Sequence, residues 1–315
     1  MKETNQSKKE NPMITKDKVI EIFCQVDDFC KEFYKVKSGH ELSSKTEKKH
    51  RNKPCNLSDS EVITILILFH SYSFRNLKHF YTHYVQVHLK NEFPKTVSYN
   101  RFVELQGKAL MPMSVYLKLY CLGNCTGVSF IDSTPIRACH IRREKSNRVF
   151  KGLATKGQCS IGWFFGFKLH LVINDRGEIL EFMLSQGNVD DREPLKSKAF
   201  HKKIFGKLFG DKGYISQSLF ELLFIDGIHM VTKLRKNMKN SLMHIHDKVL
   251  LKKRALIETV NDELKNICQI EHTRHRSFDN FIANLISGLI AYSFFTKKPS
   301  LNIETVRNNG IMMIA

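Results

Sequence analysis

Apolar positions recur with helical spacing from residue 13 to residue 36, where Val19, Ile22, Phe23, Val26, Phe29, Cys30 and Phe33 form one stripe. The polar, basic stretch KSGHELSSKTEKKHRNKPCN separates this helix from the next. Ser58 and Glu61 have the spacing of a capping box, in which each side chain satisfies the other's free backbone N–H, and they open the run EVITILILFHSYSF. Ser98 is a second predicted N-cap, ahead of YNRFVEL. The pattern up to about residue 120 is therefore all helical, and the apolar run from Ile65 to Phe69 belongs to its core.

The period changes at Gly127. GVSFID is a β-rich run that ends on Asp132. FGFKLHLVIN alternates, with Phe167, Leu169, Leu171 and Ile173 on one side. NDRG, Asn174 to Gly177, is a turn, and EILEFMLSQG returns as the second arm of a hairpin. A helix is expected over residues 192 to 203. KLFGDKG is a strand that stops at Gly-Asp-Lys-Gly, residues 214 to 226 form a helix, and IHMVTKL is a strand. Residues 252 to 268 and 278 to 296 are helices. The order β-β-β-α-β-α-β-α predicts three antiparallel strands, with later strands joined through helical crossovers. That is an α/β, ribonuclease-H-like mixed sheet, expected over residues 121–298. It would follow an all-helical N-terminal region over 15–120, with a disordered tail at 1–14 and a C-terminal tail at 299–315.

A length of 315 residues suits one medium domain and a smaller one, and 42% hydrophobic residues suffice for packed interiors. Lys and Arg number 50 against 31 acids, a net +19 with a pI near 9.5. Such a surplus favours a polyanion, either nucleic acid or an anionic membrane surface. No apolar run reaches bilayer length, and MKETNQSKKENP is too polar for a secretory signal. A cytoplasmic location is expected. The eight Cys are scattered without a Cys-x-x-Cys pair and read as free thiols of a reducing compartment. His79 and His83 share a helix face but have no nearby acid or Cys pair to complete a metal site. The single Trp, Trp163, is expected to pack beside its strand.

Three acids stand out by position. Asp132 ends the first strand, Asp211 ends the strand KLFG, and Glu258 sits inside the penultimate helix. In the expected sheet those two strands lie side by side, and the helix crosses their ends. Each acid has an ordinary alternative. Asp-Lys-Gly is common turn chemistry, and a lone helical Glu is normally solvated. Asp132 fits a surface role less well, because it follows Val128, Phe130 and Ile131. Carboxylates brought together suit phosphodiester chemistry. Two divalent ions about 3.5–4 Å apart serve the attacking and the leaving oxygen of an in-line displacement. Mg²⁺ takes oxygen ligands and keeps several waters, so no Cys or His is required. Asp190 and Asp191 are a rival pair, with Asp191 read as an N-cap, and Asp262 shares the face of Glu258.

IDSTPI, GWFFGFKLHLVIN, GNVDDRE, GDKGY and RALIETVNDELK together resemble the bacterial insertion-sequence transposases of the DDE class, nearest to the branch named for insertion sequence 982. The resemblance covers about residues 55 to 296. The spacing Arg254-x3-Glu258-x6-Lys265 is similar to a wider signature of that class, although Leu251 stands where a Tyr is often found. The resemblance implies a catalytic, metal-binding triad of Asp132, Asp211 and Glu258, with two Mg²⁺ or Mn²⁺ ions. It implies cleavage at transposon ends and transfer of the freed 3′-hydroxyls into target DNA, and a homodimer on that DNA. A bacterial, nucleoid-associated protein is then expected.

Basic residues flank these motifs. One cluster holds Arg137, Arg142, Arg143, Lys145, Arg148, Lys151 and Lys156. Another holds Lys233, Arg235, Lys236, Lys239, Lys248, Lys252, Lys253 and Arg254. Arg137, Arg142, Arg143, Lys212, Arg254 and Lys265 are the candidate DNA-phosphate contacts, with a solvated surface as the ordinary alternative. Reading of the transposon ends falls to the helical N-terminal region. The alternatives are a ribonuclease-H-like nuclease without strand transfer, and a transposase-derived DNA-binding protein without catalysis.

Overall fold

In the computed structural model the described residues are 14–40, 55–233, 243–271, 274–301, 303–305 and 312–314. The expected N-terminal tail, most of the basic linker, Arg235, Lys236, Lys239 and part of the C-terminal tail lie outside them. Two compact units are present. The described parts of Met1–Tyr116, Ile267–Thr273 and Asp279–Tyr292 form one, and those of Leu117–Asn266, Arg274–Phe278 and Ser293–Ala315 form the other.

The main helices of the first unit are α1 (Lys16–His40), α2 (Asp59–Ser71), α3 (Tyr99–Lys108) and α4 (Leu110–Tyr116). Ser58 caps α2 as its spacing predicts: Glu61 N–H donates to Ser58 Oγ at 3.2 Å, and Ser58 N–H donates to the Glu61 carboxylate at 2.7 Å. Ser98 caps α3. Ten residues of α2, Ser60 and Val62 to His70, are buried, the pattern of a helix with no solvent face. A late helix, Phe278–Ser293, supplies residues 279–292 to the same unit.

Among its described residues the second unit is built on a six-stranded mixed sheet. Its strands are β1 (Val128–Cys139), β2 (Thr155–Cys159), β3 (Gly162–Asn174), β4 (Ile179–Gln186), β5 (Gly206–Gly210) and β6 (Ile228–Thr232). β3 pairs antiparallel with β1 along one edge. Its other edge is shared by β2, along the first half, and β4, along the rest. β5 lies parallel between β1 and β6. The β3–β4 turn is the predicted one, closed by Gly177 N–H to Asn174 O, with Gly177 at φ +70° where a Cβ would be strained.

Both faces of the sheet are covered. Phe167, Leu169, Leu171 and Ile173 are buried as the alternation predicts, and so are His170 and Val172 between them. The core on the second face joins Ile131, Val172, Leu180 and Leu208 to Leu219 and Leu223 of α5 (Gln217–Ile225). Two expectations change here. The single helix over 192–203 is a 3₁₀ turn, Glu193–Lys196, followed by the short helix Lys198–His201. The extended backbone of Ser197 breaks the run; Pro194 lies in the first turn, where proline is tolerated. Trp163 stands 62% exposed at the start of β3, in register with Gln158 of β2.

Candidate active site

The parallel register of β1 and β5 aligns two acids. Ser129 pairs with Leu208 and Phe130 with Phe209. The same offset two residues on sets Asp132 beside Asp211, just past the end of β5. Asp132 does not end its strand, however. β1 runs on to Cys139 because β3 continues to supply backbone partners, through Pro135↔Lys168 and Arg137↔Gly166 to a bulge before Cys139↔Phe165. Pro135 is tolerated because β5 has already ended on that edge, so its missing N–H removes no ladder bond.

Two helices follow β6, α6 (Ile245–Lys252) and α7 (Ala255–Asn266), and α7 packs on β1. Arg254 just before α7, and Glu258, Asn261 and Lys265 within it, succeed one another at steps of four, three and four. Such steps hold one helix face, and the stripe reaches β1. Arg254 Nη1 lies 3.5 Å from Asp132 Oδ1, and its Nη2 donates to Glu258 Oε1 at 2.5 Å. Asn261 Nδ2 donates to Asp132 Oδ2 at 3.1 Å. Lys265 Nζ donates to the Pro135 carbonyl at 2.8 Å, three residues along the strand.

Asp132 is thus held by a guanidinium on one oxygen and an amide on the other. Its side chain is 23% exposed. Burial pushes its carboxyl up to about 6, and the neighbouring negative charges of Asp211 and Glu258 add to this; Arg254 and the Ser133 N–H oppose it. Three acids distant in sequence therefore act on one another through the same small region. Glu258 and Asp211 are exposed at its rim, and Asp211 Oδ1 also accepts from Gly213 N–H at 2.8 Å, the turn role its motif allows.

Residues 122–278 match the family model described as a Transposase DDE domain. No curated protein matches the chain. Among solved structures, the chain is similar to the cryo-EM structure of piggyBac transposase synaptic complex with hairpin DNA. There the identity is 12% and the TM-score 0.45, over 87% of this chain and 72% of that one. It is also similar to the crystal structure of the Mos1 strand transfer complex, at 13% identity and a TM-score of 0.24, over 84% of each chain.

Within the matched stretch, Asp132, Asp211 and Glu258 offer carboxylate oxygen, which suits a hard divalent cation. Among the described residues, though, no three His, Cys, Asp or Glu side chains stand close enough to hold one ion. Arg254 bridges Asp132 and Glu258, so a guanidinium supplies positive charge between them. The rival acids are engaged elsewhere. Asp191 does not cap a helix; it accepts from Ser133 Oγ at 2.7 Å and from Lys168 Nζ at 2.9 Å. Asp190 forms a paired contact with Arg192, and Asp262 accepts from Asn266.

The other candidate cations divide by location. Arg137 is exposed late in β1, Arg142 and Arg143 are exposed on the 3₁₀ turn Ile141–Ser146, and Lys212 is exposed beside Asp211. Asp247, the acid within the second basic stretch, is buried and accepts from Lys207 Nζ at 2.6 Å. Lys248, Lys252 and Lys253 around it are exposed. Two polar residues at the site were missed in the sequence. Asn261 is 7% exposed, and its Oδ1 has no hydrogen-bond partner among the described residues. Tyr214 is buried, with its hydroxyl equally unpartnered and its pKa driven well up by burial and by Asp132, Asp191 and Asp211. The 4-3-4 spacing around Asn261 was a visible signal; nothing in the pattern marked Tyr214.

Proposed function

We propose that the chain is a DNA transposase of the DDE class, of the branch named for insertion sequence 982. Its activity is metal-dependent cleavage at transposon ends and transfer of the 3′-hydroxyls into target DNA. Asp132, Asp211 and Glu258 are the catalytic carboxylates on a ribonuclease-H-like core. The observation that carries this is the electrostatics of Asp132. A largely buried carboxyl pushed up to about 6, in part by the other two acids, marks a place where negative charge is concentrated and a cation is wanted.

The three carboxylates would hold two Mg²⁺ or Mn²⁺ ions once Arg254 withdraws from between Asp132 and Glu258. When bound, such ions supply a deprotonated water and stabilise the leaving oxygen. The chain's own residues supply the rest. Asn261 fixes the orientation of Asp132 and leaves its Oδ1 turned to Arg254. On leaving Asp132 and Glu258, Arg254 would turn onto a DNA phosphate, whose oxygens match its paired donors. Lys265 is positioned over β1 by the Pro135 carbonyl. Arg137, Arg142, Arg143 and Lys212 give the backbone contacts that hold DNA without reading its sequence. The helical N-terminal unit reads the ends, and two copies pair on the DNA, in the bacterial cytoplasm at the nucleoid. Among the described residues no helix is long and apolar enough to cross a membrane.

The test is Mg²⁺-dependent cleavage of duplexes carrying the element's terminal repeats, with Asp132→Ala as control. Joining of a pre-cut 3′-hydroxyl end to a target duplex separates a transposase from a nuclease of the same fold. If Asp132→Ala cuts as well as the wild type, the carboxylate assignment is wrong.

A further inference from the structure

Past Asp132, the far end of β1 borders a cavity of about 660 Å³. Its walls are the last residues of β1, the 3₁₀ turn Ile141–Ser146 with the loop running on to Phe150, and the segment at Arg274 and His275. Arg143, Arg148 and Arg274 line it, with His140 and His275, and no carboxylate does so among the described residues. Glu144, the acid within the turn, is paired with Lys156 at 2.8 Å and so does not offset the three guanidiniums. Phe150 gives the cavity an apolar floor; it is 2% exposed and packed edge-on against Phe167.

Size and charge together select the ligand. Ligand pockets span about 300–1,000 Å³, so this one has room for a base, a sugar and a phosphate. A bare phosphate would leave most of it empty. A duplex, whose major groove alone is about 12 Å wide, cannot enter. Guanidiniums match phosphate oxygens with paired donors, and an apolar floor at Val149 and Phe150 takes a base without hydrogen bonds that would read its sequence.

We infer that this cavity holds one unpaired nucleotide of a DNA strand, its phosphate among Arg143, Arg148 and Arg274 and its base over the apolar floor at Val149 and Phe150. The inference rests on the DNA-acting reading above and deepens it. A nucleotide next to the strand that carries Asp132 would be held apart from its complement.

Fluorescence anisotropy with the full chain tests this on a blunt duplex and on the same duplex with a short single-stranded extension. A free deoxynucleoside monophosphate serves as competitor. The extension should tighten binding roughly tenfold, the scale of one stacked base. Ser146→Trp and Val149→Trp fill the cavity without changing charge. Each should return the extended duplex to the blunt value, with blunt-duplex affinity and thermal midpoint as in the wild type. An extension without effect, or a preference that survives both fillers, overturns the cavity assignment while duplex binding preserves the DNA reading. Failure of both duplexes to bind removes both. A monophosphate that competes as well as the extended duplex overturns the assignment to a strand.

Discussion

Replacing Arg254 by Ala isolates the electrostatics of the site. In the wild type Arg254 holds down a carboxyl that burial and two like charges push up, and the balance leaves Asp132 near 6. Without the guanidinium the pKa of Asp132 rises further. The folded chain can then escape the unpaired charge by taking up a proton, which caps the cost. The cap is about 1.4 kcal/mol for each pH unit above 6. Near pH 6 the substitution should cost little beyond lost packing, and the cost should grow with pH, up to about 1.4 kcal/mol at pH 7 and about 2.7 kcal/mol at pH 8. The sign follows from proton uptake: the variant's folded state binds a proton that its unfolded state lacks, so its stability falls as pH rises. Glu258, being exposed, adds little to this sum. Divalent cation should reverse the effect. An ion at one hundred times its dissociation constant stabilises by about 2.7 kcal/mol, and in the wild type part of that is spent displacing Arg254. Urea unfolding at pH 6, 7 and 8, with and without Mg²⁺, measures both quantities, and Asp132→Asn/Arg254→Ala should be flat with pH. A cost equal at pH 6 and 8, or a Mg²⁺ gain no larger in Arg254→Ala than in the wild type, would refute the reasoning.

Buried His170 donates to or accepts from Ser185 Oγ at 2.7 Å, and burial lowers its pKa to about 4. The unfolded chain protonates first as pH falls from about 6.5 to 4, so the wild type should lose about 3 kcal/mol more across that window than His170→Gln, read from denaturation midpoints. Gly166→Ala would put a Cβ 2.2 Å from the Ile136 carbonyl oxygen, inside the β1–β3 ladder. It should destabilise by about 1–3 kcal/mol or more, seen as a lower thermal midpoint; an unchanged midpoint would mean that the strands do not approach so closely. Arg142→Ala should lower the slope of log affinity against log salt by about 1 on any duplex sequence. A loss confined to one sequence would place Arg142 at a base rather than at a phosphate.

What the sequence disclosed about this site follows from the range of the interactions involved. The caps at Ser58 and Ser98 and the turn at Gly177 are decided within three or four residues, and they were legible. Asp211 was legible for the same reason, as the acid just past a short apolar strand. The extent of β1 was not. Nothing local tells Ser133 to Cys139 to stay extended; the instruction comes from β3, whose apolar alternation keeps offering partners thirty residues later. β2 escaped notice because Gly157 is its one buried residue, leaving no period to detect. Asp191 was misread because its partners, Ser133 and Lys168, arrive from two other strands.

Asn261 sharpens the point. On α7 the buried positions Ile257, Val260 and Leu264 make an ordinary amphipathic face, and the sequence alone assigns Asn261 to its polar margin. Instead it is buried, at a cost that an apolar residue would avoid. It recovers part of that cost through one hydrogen bond to Asp132 and leaves its Oδ1 unmatched. A polar side chain that packs among apolar neighbours and spends its donor on a carboxylate does more for that carboxylate's orientation than for the fold. Local pattern locates the acids, and the polar residues that hold them become visible only when helix and strand are brought together.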